Sequence, residues 1–220
     1  QALTKDGSTT LINGTFDWAY EEEFSCRDGF RWSPNGAIIA YWQVDASEIG
    51  NFYMINNTDS NYAELIPVQY PKVGVSPSAC RLKTVEVGTG KIVDIAIPGD
   101  PKENYLPRMQ WIDDQRILVQ QLNRKQNHYR LWIANPKTGK AKLVYEEKSD
   151  TWIDIDHPDP TSAFEVFDLH VVENGQAVMR LSERGDWRQL YKIPLTGDKV
   201  ELVTQGEYDI ARLYWVAPDG

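Results

Sequence analysis

The chain has 220 residues, 41% hydrophobic and 25% charged, with 32 acidic against 23 basic residues for a net charge of −9. This acidic balance argues against nucleic acid or an anionic membrane as partner and mildly favours a cationic ligand. No apolar run of about 18 residues predicts a transmembrane span, and no secretory leader pattern opens the chain.

Residues 1–8, "QALTKDGS", read like the end of a structural unit, and the last six, "WVAPDG", like the start of one. With Gln1 in place of Met, this predicts a piece of a longer protein. Residues 17–24, "DWAYEEEF", set three carboxylates beside large aromatics. In a strand Glu22 and Glu23 would point to opposite faces. In a helical turn they lie about 100° apart and can both reach one small group. Asp17 is a suitable N-cap for such a turn, and the backbone dipole at its start offsets part of the carboxylate repulsion. An acidic turn walled by aromatics suits a compact cation such as an α-amino group. It equally suits an N-capped turn on a surface rim with no ligand.

The rest of the chain is repetitive. "FRWSP" and "AIIAYWQV", "RMQWID" and "RILVQQL", then "EVFDLHVV" and "QAVMRLS" are paired strand-like runs joined by "PNG", "DDQ" and "ENG". Each pair precedes a hairpin: residues 79–97, 128–147 and 187–206, with Leu82, Leu131 and Leu190 in equivalent places. Four antiparallel strands repeated at this spacing are the signature of a β-propeller, because one twisted sheet cannot bury both of its faces alone. The predicted fold is therefore all-β, a partial propeller of three to four four-stranded blades at about 24–98, 104–148 and 161–204. The first blade carries an insertion over 47–78. Such an arc leaves two flanking faces for association.

Cys26 and Cys80 are the only cysteines and could bridge or stay free. "NGT" at 13–15 and "NNT" at 56–58 match the glycosylation pattern, which has meaning only in a eukaryotic secretory host. "DIDHPDP" at 154–160 sets three Asp around His157, but no two histidines have ligand spacing, so no metal and no cofactor is expected. No "GxSxG" elbow occurs, and neither His128, His157 nor His170 sits near a serine that could act as nucleophile.

"DWAYEEEF", followed by "RWSPNGAIIAYWQVDASEI", "YPKVG" and "SERGDWRQLY", closely resembles the dipeptidyl peptidase IV family of the prolyl oligopeptidase clan. The resemblance implies an eight-bladed propeller stacked on an α/β-hydrolase domain, the latter absent from this chain. It implies that Glu22 and Glu23 grip the free N-terminus of a peptide, with Glu21 behind them and Trp18 and Tyr20 shaping the wall. The serine peptidase would release X-Pro or X-Ala dipeptides from a secreted or periplasmic location. A non-catalytic relative, or a propeller serving as an interaction module, is the alternative. The family also implies that the insertion is a homodimer arm, with Tyr53, Met54, Ile55, Tyr62, Leu65 and Ile66 as its apolar face; a long loop packed on its own propeller is the alternative. The stretch at 150–160 lacks the aromatic–arginine pair of mammalian relatives, so preferences beyond the second substrate residue do not carry over.

Overall fold

The computed structural model describes residues 2–155, 169–217 and 219; His157, most of "DIDHPDP" and the start of the third expected blade lie outside the described residues. The architecture is an arc of antiparallel sheets, the partial propeller of the sequence reading, with no helix among the described residues long and apolar enough to cross a membrane.

The first sheet begins with β1 (Leu11–Asn13), then leaves the sheet through the helix α1 (Trp18–Phe24) and returns as β2 (Phe30–Trp32). Both short strands pair with β3 (Ile38–Asp45): Leu11 opposite Asp45 and Asn13 opposite Gln43, then Phe30 opposite Tyr41 and Trp32 opposite Ile39. They form one edge strand interrupted by an excursion that carries the helix. No strand forms over residues 2–8, where a closing strand of an earlier unit was expected; the sheet instead starts at Leu11, upstream of residue 24. β4 (Asn51–Asn56) and β5 (Glu64–Gln69) pair only with each other, as a hairpin within the insertion. β6 (Ala79–Glu86) and β7 (Ile92–Asp94) complete the sheet on the far side of β3.

The second sheet is a plain meander: β8 (Asn104–Asp113), β9 (Arg116–Asn123), β10 (His128–Ala134) and β11 (Ala141–Lys148). The third comprises β12 (Leu169–Val172), β13 (Ala177–Ser182), β14 (Gln189–Pro194) and β15 (Glu201–Leu202). Leu213 and Val216, in the segment expected to open another unit, pack on Val172, Ala177 and Met179 of this sheet.

The second position in each sheet (β3, β9 and β13) is buried on both faces, so these strands read as continuous runs rather than alternations. Several of their buried polar groups are paired. Gln43 donates to Asn13 Oδ1 at 2.8 Å and to Asp6 Oδ2 at 3.0 Å. Arg180, fully buried, donates to Glu147 at 2.9 Å across from β13 to β11. Neighbouring sheets are stitched by indole donors: Trp42 Nε1 to the Leu106 carbonyl at 2.8 Å and Trp111 Nε1 to the Arg31 carbonyl at 3.0 Å. One apolar core runs through all three sheets, from Trp42 and Leu82 through Ile117 and Leu131 to Val178 and Ile193.

Candidate functional site

The excursion that carries α1 is pinched at its base. Gly29 N–H donates to the Gly14 carbonyl at 3.1 Å, Gly14 N–H to the Trp42 carbonyl at 2.9 Å, and Trp42 N–H to the Gly29 carbonyl at 2.9 Å. Two backbones meet so closely here that a Cβ on Gly29 would lie 2.7 Å from the Gly14 carbonyl carbon. Gly14 supplies the left-handed φ of 75° that turns the chain out.

At the helix start, Asp17 is extended and its side chain accepts the Tyr20 N–H at 3.1 Å, the expected N-cap. Its other oxygen takes the Ser78 hydroxyl at 2.6 Å, so the cap is held from the end of the insertion as well. Ser25, left-handed at φ 54°, closes the helix.

Tyr20 and Phe24, four apart, form the buried face. Tyr20 is only 2% exposed, stacks on Phe16 and meets Phe24 at a tilt, and its hydroxyl accepts the Leu106 N–H at 3.1 Å. The wall role expected of Tyr20 does not fit this position: it fastens the helix to β8. Trp18 stays at the rim, 37% exposed, with its ring 4.2 Å from that of Tyr70.

With Tyr20 and Phe24 inward, the 3.6-residue repeat turns Glu22 directly outward and puts Glu21 and Glu23 on opposite flanks. All three are exposed. Glu21 meets Arg27 at 3.6 Å in a loose, solvated pair. Glu23 accepts a hydrogen bond from the side-chain amide of Gln126, on the β9–β10 connection of the next sheet. Glu22 makes no hydrogen bond or ion pair among the described residues. Adjacent to this flank lies the Tyr105 phenol, whose pKa burial pushes up, against the pull of Arg124 and with the help of Glu23. The arrangement is two carboxylates about 100° apart, one tethered and one loose, on a helix whose aromatic face is buried.

Cys26 and Cys80 are free thiols, both buried behind the helix. Cys26 receives Arg108 Nη1 at 3.3 Å, and burial still pushes its thiol up to about 11. The residues of the expected arm lie apart from the helix: Tyr53, Met54, Ile55, Tyr62, Leu65 and Ile66 are all exposed on or beside the β4–β5 hairpin. An aromatic relay, Trp18 to Tyr70 to Phe52, connects the helix to that hairpin. His128 and His170 lie in β10 and β12.

The sequence reading missed Gln126, Ser78 and the Gly14–Gly29 neck. Only the neck left a local signal, a glycine at each end of the acidic segment.

The whole of residues 1–220 matches the model of the dipeptidyl peptidase IV N-terminal region. The chain belongs to that family. It is 30% identical over 163 residues to inactive dipeptidyl peptidase 10 of Rattus norvegicus and 29% identical over 164 residues to dipeptidyl aminopeptidase B of Saccharomyces cerevisiae, covering 72% and 71% of this chain. It spans 20% of the length of each of these relatives. Among solved structures, a dipeptidyl aminopeptidase IV-like protein of Bacteroides ovatus superposes with a TM-score of 0.81 at 21% identity, over 96% of this chain and 31% of the other. Dipeptidyl peptidase 4 of Porphyromonas gingivalis gives 0.67 at 23% identity, over 93% and 34%. At these identities the superpositions speak for the fold.

Proposed function

We propose that this chain is the propeller part of a serine dipeptidyl peptidase and that Glu22 and Glu23 anchor the protonated α-amino group of its peptide substrate. The observation that carries this reading is a short capped helix that buries its aromatic face and turns adjacent carboxylates into the open, one of them tethered. An ammonium with a pKa of about 8 is charged near neutral pH and offers three N–H donors, enough for both carboxylates at once. The serine, its histidine and its aspartate would come from the hydrolase domain. Fixing the amine at a set distance from that serine places the second peptide bond at the nucleophile, so the product is a dipeptide, with Pro or Ala in second place. The glutamates contribute position and charge; they break no bond. The apolar β4–β5 hairpin acts as the homodimer arm, and a secreted or periplasmic location goes with the same reading.

The test is Glu22→Ala combined with Glu23→Ala in the complete enzyme. Each charge-assisted hydrogen bond contributes about 1.5–3 kcal/mol, so losing two lowers kcat/KM on a free-amine dipeptidyl substrate about 10²- to 10⁴-fold. A variant that cleaves like the parent overturns the anchoring role. A second reading, a non-catalytic relative, draws on the likeness to inactive dipeptidyl peptidase 10. A "GWSYGG"-like elbow with later Asp and His, encoded downstream of Gly220, decides for the enzyme, and its absence decides for the inactive relative.

A further inference from the structure

Gln126 occupies a position that its own backbone does not favour. It is left-handed at φ 51°, a region that glycine and asparagine enter far more readily than glutamine. Its side chain is nevertheless buried, 6% exposed. The loop around it is over-determined. Gln126 N–H donates to the Asn123 carbonyl at 2.9 Å, and its own carbonyl accepts Ile153 N–H at 2.8 Å. Asn123 Oδ1 takes the backbone N–H groups of Asn127 at 3.0 Å and His128 at 2.9 Å. The neighbouring Arg124 is pinned by its N–H to the Glu103 carbonyl at 2.9 Å. A strained residue held this firmly, with its amide delivered onto a carboxylate of the adjacent sheet, points to a job for that amide.

We propose that Gln126 is a positioning residue of the amine site: its neutral amide fixes the Glu23 carboxylate without cancelling its charge. This rests on the anchoring role proposed for Glu22 and Glu23. The contrast with Glu21 supports it. Glu21 already faces a cation, Arg27, in a loose pair, whereas Glu23 faces a donor with no charge and keeps its attraction for an ammonium. Fixing one carboxylate in advance removes rotamer freedom that binding would otherwise have to quench, while Glu22, unheld, adjusts to the amine. Glu23 then sets where the substrate N-terminus stops, and the second sheet, through Gln126, sets where Glu23 stops.

The experiment is a double-mutant cycle in the complete enzyme, read as kcat/KM on a chromogenic dipeptide with a free amine and Pro in second place. Gln126→Gly keeps the left-handed backbone and deletes the amide. Gln126→Asn also tolerates that backbone but falls one methylene short. Both variants are expected to lose about tenfold in kcat/KM with Glu23 present. They are expected to lose less than twofold when Glu23 is already Ala, since the amide then has nothing to hold. Wild-type kinetics in both variants overturn the proposal, and so does an equal loss in the two backgrounds, which a purely structural role would give. The Glu22→Ala, Glu23→Ala enzyme separates the two ideas. If it is as active as the parent, anchoring and positioning fall together; if it is crippled while both Gln126 variants stay normal, only the positioning role falls.

Discussion

Gly29→Ala tests whether the pinched neck holds the helix. A methyl group at Gly29 would sit 2.7 Å from Gly14 C and Thr15 N and 2.9 Å from Thr15 Cα, all backbone atoms that no rotamer change can move aside. Ordinary carbon contacts need about 3.5–4.0 Å, so the two chains must part by about 1 Å. The Gly29-to-Gly14 hydrogen bond is already 3.1 Å long and breaks at that separation, and the bonds that tie both glycines to Trp42 distort with it. Losing one or two bonds at about 1 kcal/mol each, plus about 1–3 kcal/mol of overpacking strain, gives roughly 2–5 kcal/mol. The cost falls on the excursion, because the long pairing of β3 with β6 does not involve Gly29. Hydrogen exchange is the assay: amides of α1 should exchange about thirtyfold to several thousandfold faster, while β9 and β10 keep their protection. Under the proposed function, dipeptide release by the complete protein should fall in parallel. Gly50→Ala, where a Cβ meets nothing within 4 Å, is the control and should change neither. Wild-type protection of α1 in Gly29→Ala would refute the neck as the helix anchor.

Burial raises the Cys26 thiol from 9.0 to about 11 and raises Cys80 as well, so the folded state holds these protons to higher pH than the unfolded chain. The stability this contributes is fully present below about pH 9 and is lost as pH rises through about 11. Denaturant midpoints measured from pH 8 upward should therefore decline, and a thiol reagent at pH 8 should label both cysteines only after denaturation. On the β4–β5 hairpin, proposed above as a dimer arm, Ile55 lies opposite Leu65, and both are 64% exposed. Replacing the pair with Asp should turn a dimeric parent monomeric in sedimentation velocity with its melting temperature changed by less than a few degrees; an unchanged dimer would remove the arm from the interface.

How much the sequence disclosed depended on the range of the interaction. The helix at Asp17–Phe24 was legible because its signals are local: a capping Asp, then Tyr20 and Phe24 at helical spacing beside three glutamates. The hairpins were legible because Gly90 and Gly139 sit in turns that need a positive φ. β1 was not, since three residues, "LIN", carry no periodicity and become a strand only through the far half of β3. The fate of Tyr20 was also hidden. An aromatic beside acidic residues fits a ligand wall as well as a core, and the Leu106 N–H that decides between them lies 86 residues away. Gln126 gave no signal at all: a polar residue in "NRKQNH" reads as solvated loop, and its left-handed backbone is imposed by Asn123 and Ile153 rather than by its own preference.

The short length of α1 explains why so many distant groups converge on it. Seven residues are too few to hold a helix in water, where isolated helices below about 12–15 residues are marginal. Its geometry must therefore be imposed from outside. The glycine neck fixes its two ends against β3, Ser78 fixes its cap from the insertion, and Leu106 holds its buried face from the second sheet. The anchors come from three separate parts of the chain, β3, the end of the insertion and β8. This explains how three mutually repelling carboxylates can be displayed on so small a scaffold. The repulsion is borne mainly by packing contributed by two sheets, with the loose Arg27 pair and the Gln126 amide meeting the outer two carboxylates.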